Sequence, residues 1–274
     1  MAAPTAGPPR VSPGGDTPRL SLVMPCYNEE AIVAQTVRRL LQEFERAEIP
    51  VEIITVDNGS RDDTLGILHG LAERYPGAVV VIRVLENIGY GNGVLNGLPH
   101  CKAPWVGIIP ADGQVDAYDV VRLFEDTLAT GEPVLAKARR RFRMDGLNRK
   151  LVSICYNIFF RALFPRIASL DINGLPKIMP RDVIERLQLT SRQWLLDPEI
   201  MIRAHLLGVR VLEYNVFARM RGSGLSHVRA STAWEFVKGV LRLRFSPELR
   251  QWQAEVDRSP ISLTPSPVSA RRAQ

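Results

Sequence analysis

With 274 residues, of which 46% are apolar and 23% charged, the chain has the size and composition of a globular protein of one large or two small α/β domains, not of a fibrous or low-complexity one. Its net charge of +6 favours an anionic partner, whether nucleotide, phospholipid surface or nucleic acid, without choosing among them. Cys26, Cys101 and Cys155 are odd in number, far apart and at no zinc-finger spacing from the histidines, so they imply no disulfide framework and fit a reducing, cytosolic setting.

Residues 1–18 are rich in Pro, Gly and Ala without the apolar core of a signal peptide, and read as a disordered leader. No stretch reaches the roughly 18 apolar residues of a membrane span. A short strand, Leu20 to Met24, ends at Pro25. Asn28 then reads as a helix N-cap, with Glu29 and Glu30 at the positive end of the helix dipole. Val33, Val37, Leu40, Leu41 and Phe44 repeat at helical spacing and give one apolar stripe.

The plan repeats with a strand from Val51 to Val56, an exit loop Asp57-Asn58-Gly59-Ser60, and a helix bearing Leu65, Leu68 and Leu71. Ser60 with Asp63 resembles a capping box. Ala78 to Leu85 is a third strand. Asn87 to Gly97 packs four glycines into eleven residues, but a GxGxxG fingerprint starting at Gly89 fails at Val94. These glycines either let backbone approach a ligand or a neighbouring strand, or mark a flexible loop.

Trp105 to Asp116 is the stretch on which the rest turns. A buried-looking run (Trp105, Val106, Ile108, Ile109) stops at Pro110, and Asp112 and Gln114 follow at once. In open parallel sheets ligands bind just beyond the carboxyl ends of the strands. Asp112 and Asp57 both fall there, although Asp and Gly are also ordinary turn formers.

Tyr118 to Thr130 is helical and Pro133 to Ala138 a strand. A basic cluster follows (Lys137, Arg139, Arg140, Arg141, Arg143, Arg149, Lys150), which on its own reads as a solvated face. Leu147 to Leu163 is an apolar helix, either core or membrane-facing. Then come Asp171 to Gly174, a strand through Lys177 and Ile178, a helix from Asp197 and a strand from Val209 to Tyr214. The loop Arg219 to His227 leads to an amphipathic helix near Trp234 to Phe245, which either caps the core or lies on a membrane surface. Residues 246–274 read as a largely disordered tail. The alternation predicts a single α/β domain over 19–245, a mainly parallel central sheet flanked by helices.

These loops, in this order, resemble the family 2 glycosyltransferases of the GT-A, Rossmann-like fold, and among them the polyprenyl-phosphate (dolichol-phosphate mannose synthase-like) sugar transferases. The carrying residues are Pro25 to Glu29, Val56 to Ser60 with Asp63 and Thr64, Asp112 to Gln114, and Arg221 to Ser226. The resemblance implies an inverting transfer from a UDP- or GDP-sugar to a polyprenyl phosphate at the cytoplasmic membrane surface, or to a hydroxyl acceptor. It also leaves open a nucleotide-binding relative with weakened catalysis.

By the same resemblance Pro25, Tyr27, Glu29, Asp57, Asn58, Asp112 and Arg221 would bind the nucleotide-sugar. Asp112 and Gln114 would hold Mg²⁺ or Mn²⁺, whose hard-cation chemistry suits oxygen ligands. Arg139 and Arg149 would bind the acceptor phosphate. Asp197 and Glu199 are the candidate bases for a hydroxyl acceptor, although at a helix start they also serve the dipole. Two departures from the family pattern stand out: Pro110 replaces the first acid of its DxD motif, and Asn58 replaces the second acid after Asp57. A nucleic-acid-binding module would explain the charge but not the acids at strand ends, and aromatics are not interleaved with the arginines as stacking requires.

Overall fold

The computed structural model describes residues 17–142, 157–167, 169–217 and 230–258. The first half is a run of strand–helix units: β1 (Leu20–Cys26), α1 (Val33–Arg46), β2 (Val51–Asn58), α2 (Thr64–Arg74), β3 (Val79–Val84), α3 (Tyr90–Gly97), a 3-10 turn (Leu98–His100), β4 (Trp105–Ile108) and α4 (Ala117–Ala129). The second half holds β5 (Leu135–Phe142), a helical stretch at 157–163 (α5), β6 (Lys177–Pro180), α6 (Arg181–Arg186), α7 (Leu196–Leu206), β7 (Val211–Phe217), α8 (Ala230–Phe245) and α9 (Pro247–Arg258).

The seven strands form one sheet in the order β3-β2-β1-β4-β6-β5-β7. All neighbours pair in parallel except at β6, which runs antiparallel to both β4 and β5. The expected mainly parallel sheet flanked by helices is therefore what the chain forms. Strand residues alternate between two apolar layers, as the pleat requires. Leu20, Leu22, Met24 and Ile53 pack with α1, α2 and α4; Val23, Ile54, Val56 and Ile108 pack with α3 and the C-terminal helices. The α1 stripe is buried as its spacing predicts, each large side chain contributing about 1.5–3 kcal/mol.

Several local expectations need correcting. Asn28 is not an N-cap: α1 starts five residues later, and Asn28 takes the left-handed conformation (φ 55°) that its short amide tolerates. Ser60 does not close a capping box, because its hydroxyl accepts from the Asn28 N–H and α2 begins only at Thr64. The glycine-rich segment is mostly a helix, α3. A Cβ at Gly93 would lie 2.9 Å from the Pro25 side chain, and one at Gly97 2.9 Å from that of Val56, so these glycines seat α3 directly on β1 and β2.

The tail is also shorter than its composition suggests. Residues 247–258 form α9, whose Trp252 is buried, donates its indole N–H to the Arg186 carbonyl and lies under the Arg203 guanidinium. Trp252, with Leu249 and Val256, docks a helix that polar composition hid. Residues 1–16 and 259–274, and the first part of the apolar 147–163 stretch, lie outside the described residues.

Candidate functional site

β1 lies at the centre of the parallel strands, with β2 on one side and β4 on the other. Cys26, the last residue of β1, is the register partner of Asp57. On the other side, the Ile109 N–H donates to the Val23 carbonyl at 3.0 Å before the chain turns at Pro110 into the Asp112 loop. Asp57 and Asp112 thus leave the sheet at the same end, on strands that flank a common neighbour.

The Asp57 carboxylate, 3% exposed, accepts from the Ser60 N–H at 3.2 Å and so shapes its own exit loop. That loop is bonded reciprocally to the loop after β1. The Asn28 N–H donates to Ser60 Oγ, and the Arg61 N–H to Asn28 Oδ1 at 2.8 Å. The Glu30 N–H donates to Asp62, and the Asp63 N–H to Glu30. The Glu29 N–H donates to Thr64 Oγ1 at 2.9 Å. Burial pushes the Cys26 thiol far above its ordinary range, and the nearby carboxylates of Glu29 and Asp57 push it the same way. The bonded loops carry Glu29, after β1, and Asp57, at the end of β2, to the same end of the sheet.

Asp112 is 9% exposed, and its Oδ1 accepts from the Gln114 N–H at 3.1 Å. Gly113 supplies the positive φ of 67° that this turn needs. The loop is anchored from below: Thr36 Oγ1, on α1, donates to the Ala111 carbonyl at 3.0 Å. Asp116 then caps α4 by accepting from the Tyr118 N–H.

Among the described residues no three His, Cys, Asp or Glu side chains gather at metal-ligand spacing. What the chain offers at this loop is one carboxylate, Asp112, and one half-buried amide, Gln114. That oxygen set fits Mg²⁺ or Mn²⁺, which take one or two protein carboxylates when substrate phosphates complete the shell. It does not fit zinc, which wants nitrogen or sulfur.

The other expected site residues divide. Pro25 and Tyr27 are half-buried beside Asp57 at the end of β1. Asn58, next to Asp57, is engaged at the start of α3: its Nδ2 donates to Asn87 Oδ1 and to the Gly89 carbonyl. Arg139, half-buried, lies towards the carboxyl end of β5, the same sheet end as Asp112. Arg149 and Arg221 lie outside the described residues.

Asp197 and Glu199 are not placed to act as bases. Asp197 is ion-paired to the buried Lys177. Glu199, 1% exposed, accepts from the Thr190 and Ser191 N–H groups and the Thr190 hydroxyl, and pairs with Arg203 at 2.9 Å. Its oxygens secure the 190s loop, whose Arg192 carbonyl receives the Asn92 N–H of α3. Sequence reasoning missed Lys137 and Lys177 as buried charges. The available signals were a lysine opening the otherwise apolar strand Lys177–Pro180 and another inside the apolar run Val134 to Ala138.

The pattern of Glycosyl transferase family 2 matches residues 21–186, more than half of the chain. The chain belongs to that family. This family 2 chain is 31% identical over 172 residues to the bactoprenol glucosyl transferase of Shigella phage SfX, covering 62% of this chain and 55% of that protein. It is likewise 31% identical over 175 residues to the prophage bactoprenol glucosyl transferase homolog of Escherichia coli K12, with the same coverage. The chain spans about half the length of these curated relatives.

Solved structures share the GT-A fold. Glucosyl-3-phosphoglycerate synthase from Mycobacterium tuberculosis, in complex with UDP, superposes with a TM-score of 0.64 at 19% identity, over 84% of this chain and 79% of that one. The same enzyme with Mn²⁺, UDP and phosphoglyceric acid gives 0.62 at 20% identity, over 83% and 78%.

Proposed function

We propose that this chain transfers glucose, or a similar hexose, from a nucleoside-diphosphate sugar to a polyprenyl phosphate, with inversion at the anomeric carbon. What supports the reading is that the loops after β1, β2 and β4, which carry Glu29, Asp57 and Asp112, leave the sheet at one end, in a chain similar to bactoprenol glucosyl transferases. The clasped loops after β1 and β2 would hold the nucleoside, with Pro25, Tyr27, Glu29 and Asp57 lining it and Asn58 supporting the wall from behind. Arg221 would bind the diphosphate.

Asp112 and Gln114 would hold the divalent cation, which when bound supplies charge neutralisation of the departing diphosphate. In the reaction an acceptor phosphate oxygen forms a bond to the anomeric carbon. The bond from that carbon to the diphosphate oxygen breaks, and the nucleoside diphosphate leaves with the electron pair. A phosphate monoester, with a second pKa near 6, is already ionised at neutral pH and gives up no proton in the transfer. This accords with the engagement of Asp197 and Glu199 elsewhere, since a hydroxyl acceptor would need such a carboxylate as base. Arg139 and Arg149 would hold the acceptor phosphate as fixed cations.

Among the described residues no helix is long and apolar enough to cross a membrane. The chain would meet its lipid from the cytoplasmic side, through basic and amphipathic segments.

The test is transfer of radiolabelled glucose from UDP-glucose, and of mannose from GDP-mannose, to undecaprenyl phosphate in detergent with Mn²⁺. Labelled glycosyl-phosphoryl lipid is the expected product. Nucleotide binding without any lipid product, or label appearing only on a hydroxyl acceptor, overturns the reading.

A further inference from the structure

A row of charged residues runs across three adjacent strands beneath this site. Lys177 on β6 is the register partner of Lys137 on β5, and Lys137 is the register partner of Glu213 on β7. Both lysine side chains are fully buried. Lys137 Nζ donates to Glu213 Oε1 at 3.1 Å, to Ser169 Oγ at 3.3 Å and to the Asp171 carbonyl. Glu213 also accepts from the Ser169 hydroxyl and the Leu170 N–H. Lys177 Nζ donates to the Gly174 carbonyl at 3.1 Å and pairs with Asp197 on the first turn of α7.

Apart from the two ion pairs, which join the lysines to Glu213 and Asp197, these contacts end on residues 169–174. That segment has no regular secondary structure, yet it is tightly specified. Gly174 donates its N–H to the Asp171 carbonyl at 2.9 Å, and a Cβ there would collide with the Ala138 carbonyl oxygen. Its position follows from the reversed strand. Lys177, the first residue of β6, pairs with Ile108, the last residue of β4. The residues just before Lys177 therefore leave the sheet beside the residues just after Ile108, which lead to Asp112.

Stability alone does not account for such a row, because a buried ion pair is commonly replaced by packed apolar side chains at no loss. We propose that Lys137 and Lys177 are positioning residues for glycosyl transfer: they fix residues 169–174 as the wall of the cleft facing the Asp112 loop. This rests on the function proposed above. The two ammonium groups are balanced by Asp197 and Glu213, and the Asp171 carboxylate lies within electrostatic range of both lysines.

The test uses the full chain with Lys177→Met/Asp197→Leu, which removes one ion pair at once, and separately Glu213→Gln, which keeps size and removes charge. Folding is followed by circular dichroism and Tm, nucleotide affinity by calorimetry with UDP or GDP and Mn²⁺, and transfer by steady-state kinetics on undecaprenyl phosphate. The expected result is a folded protein with nucleotide affinity and donor KM within about threefold of wild type and kcat reduced about 100-fold, as a misplacement near 1 Å produces.

A folded variant with kcat within about threefold of wild type overturns the proposal. So does a parallel fall of kcat, nucleotide affinity and Tm, which a purely structural role would give. If the double variant does not fold, Glu213→Gln decides by the same criteria. A wild-type chain that neither binds nucleotide nor transfers sugar overturns the parent reading together with this one, and is recognised without any variant.

Discussion

Thr36 and Ala111 are 75 residues apart in the chain, yet the Thr36 hydroxyl on α1 donates to the Ala111 carbonyl at 3.0 Å, one residue before Asp112. The helix that follows the loop after β1 thereby anchors the Asp112 loop. Thr36→Val keeps the shape and removes the donor. It is expected to cost about 0.5–1.5 kcal/mol in urea unfolding. Calorimetry should show a several-fold weaker Mn²⁺-dependent affinity for nucleoside diphosphate with the metal-free affinity unchanged.

Asp112→Asn should leave the fold intact, because an amide oxygen can still accept from the Gln114 N–H. Under the proposed metal role, loss of the carboxylate removes the charged ligand that Asp112 would supply. Manganese should then no longer strengthen nucleotide binding, and transfer should fall by about two orders of magnitude or more. Titration of nucleotide with and without the metal reads the first effect, and lipid-product counting the second.

Trp252 is expected to behave as a core residue. It is buried, bonded to the Arg186 carbonyl and stacked against Arg203, which itself pairs with Glu199. Trp252→Ala should cost about 3–5 kcal/mol, measured by denaturant midpoint. Hydrogen exchange should rise in residues 187–195 as well as in α9, because the same arginine also donates to the Leu187 and Gln188 carbonyls.

Lys177 gives a pH dependence with a definite sign. Burial lowers its pKa from 10.5 to about 8, opposed by Asp197 and reinforced by the neighbouring Lys137, with Asp171 also facing it. Above about pH 8 the native chain has released a proton that the unfolded chain keeps until 10.5. The unfolded state then binds more protons, so this group's contribution to stability rises with pH across that window and is flat below it. Urea unfolding at about pH 7.5, 9 and 10 should show wild type gaining stability relative to Lys177→Met/Asp197→Leu. A constant difference across the series contradicts the assignment.

Much of the fold was legible because its determinants are local or periodic. The α1 stripe, the apolar run at Trp105 and the acids after two strands follow from spacing alone. The misreadings share a cause. Asn28 and Ser60 have the chemistry of helix caps, but they spend it on a partner loop over 30 residues away, which no local window contains. Glu199 looked like a free carboxylate at a helix start until the 190s loop folded over it. Lys137 looked like the first member of a solvated basic run; only the register with Glu213 and Lys177 shows that it is interior. The helix α9 was hidden because only Leu249, Trp252 and Val256 dock it, among otherwise polar residues.

The reciprocal bonds between the loops after β1 and β2 have a consequence for how the two move. Neither loop can swing outward without tearing its hydrogen bonds to the other, so the pair behaves as a fixed jaw. The two loops should therefore exchange their amide hydrogens in step, and loosening one by Asn28→Ala should raise exchange in the other.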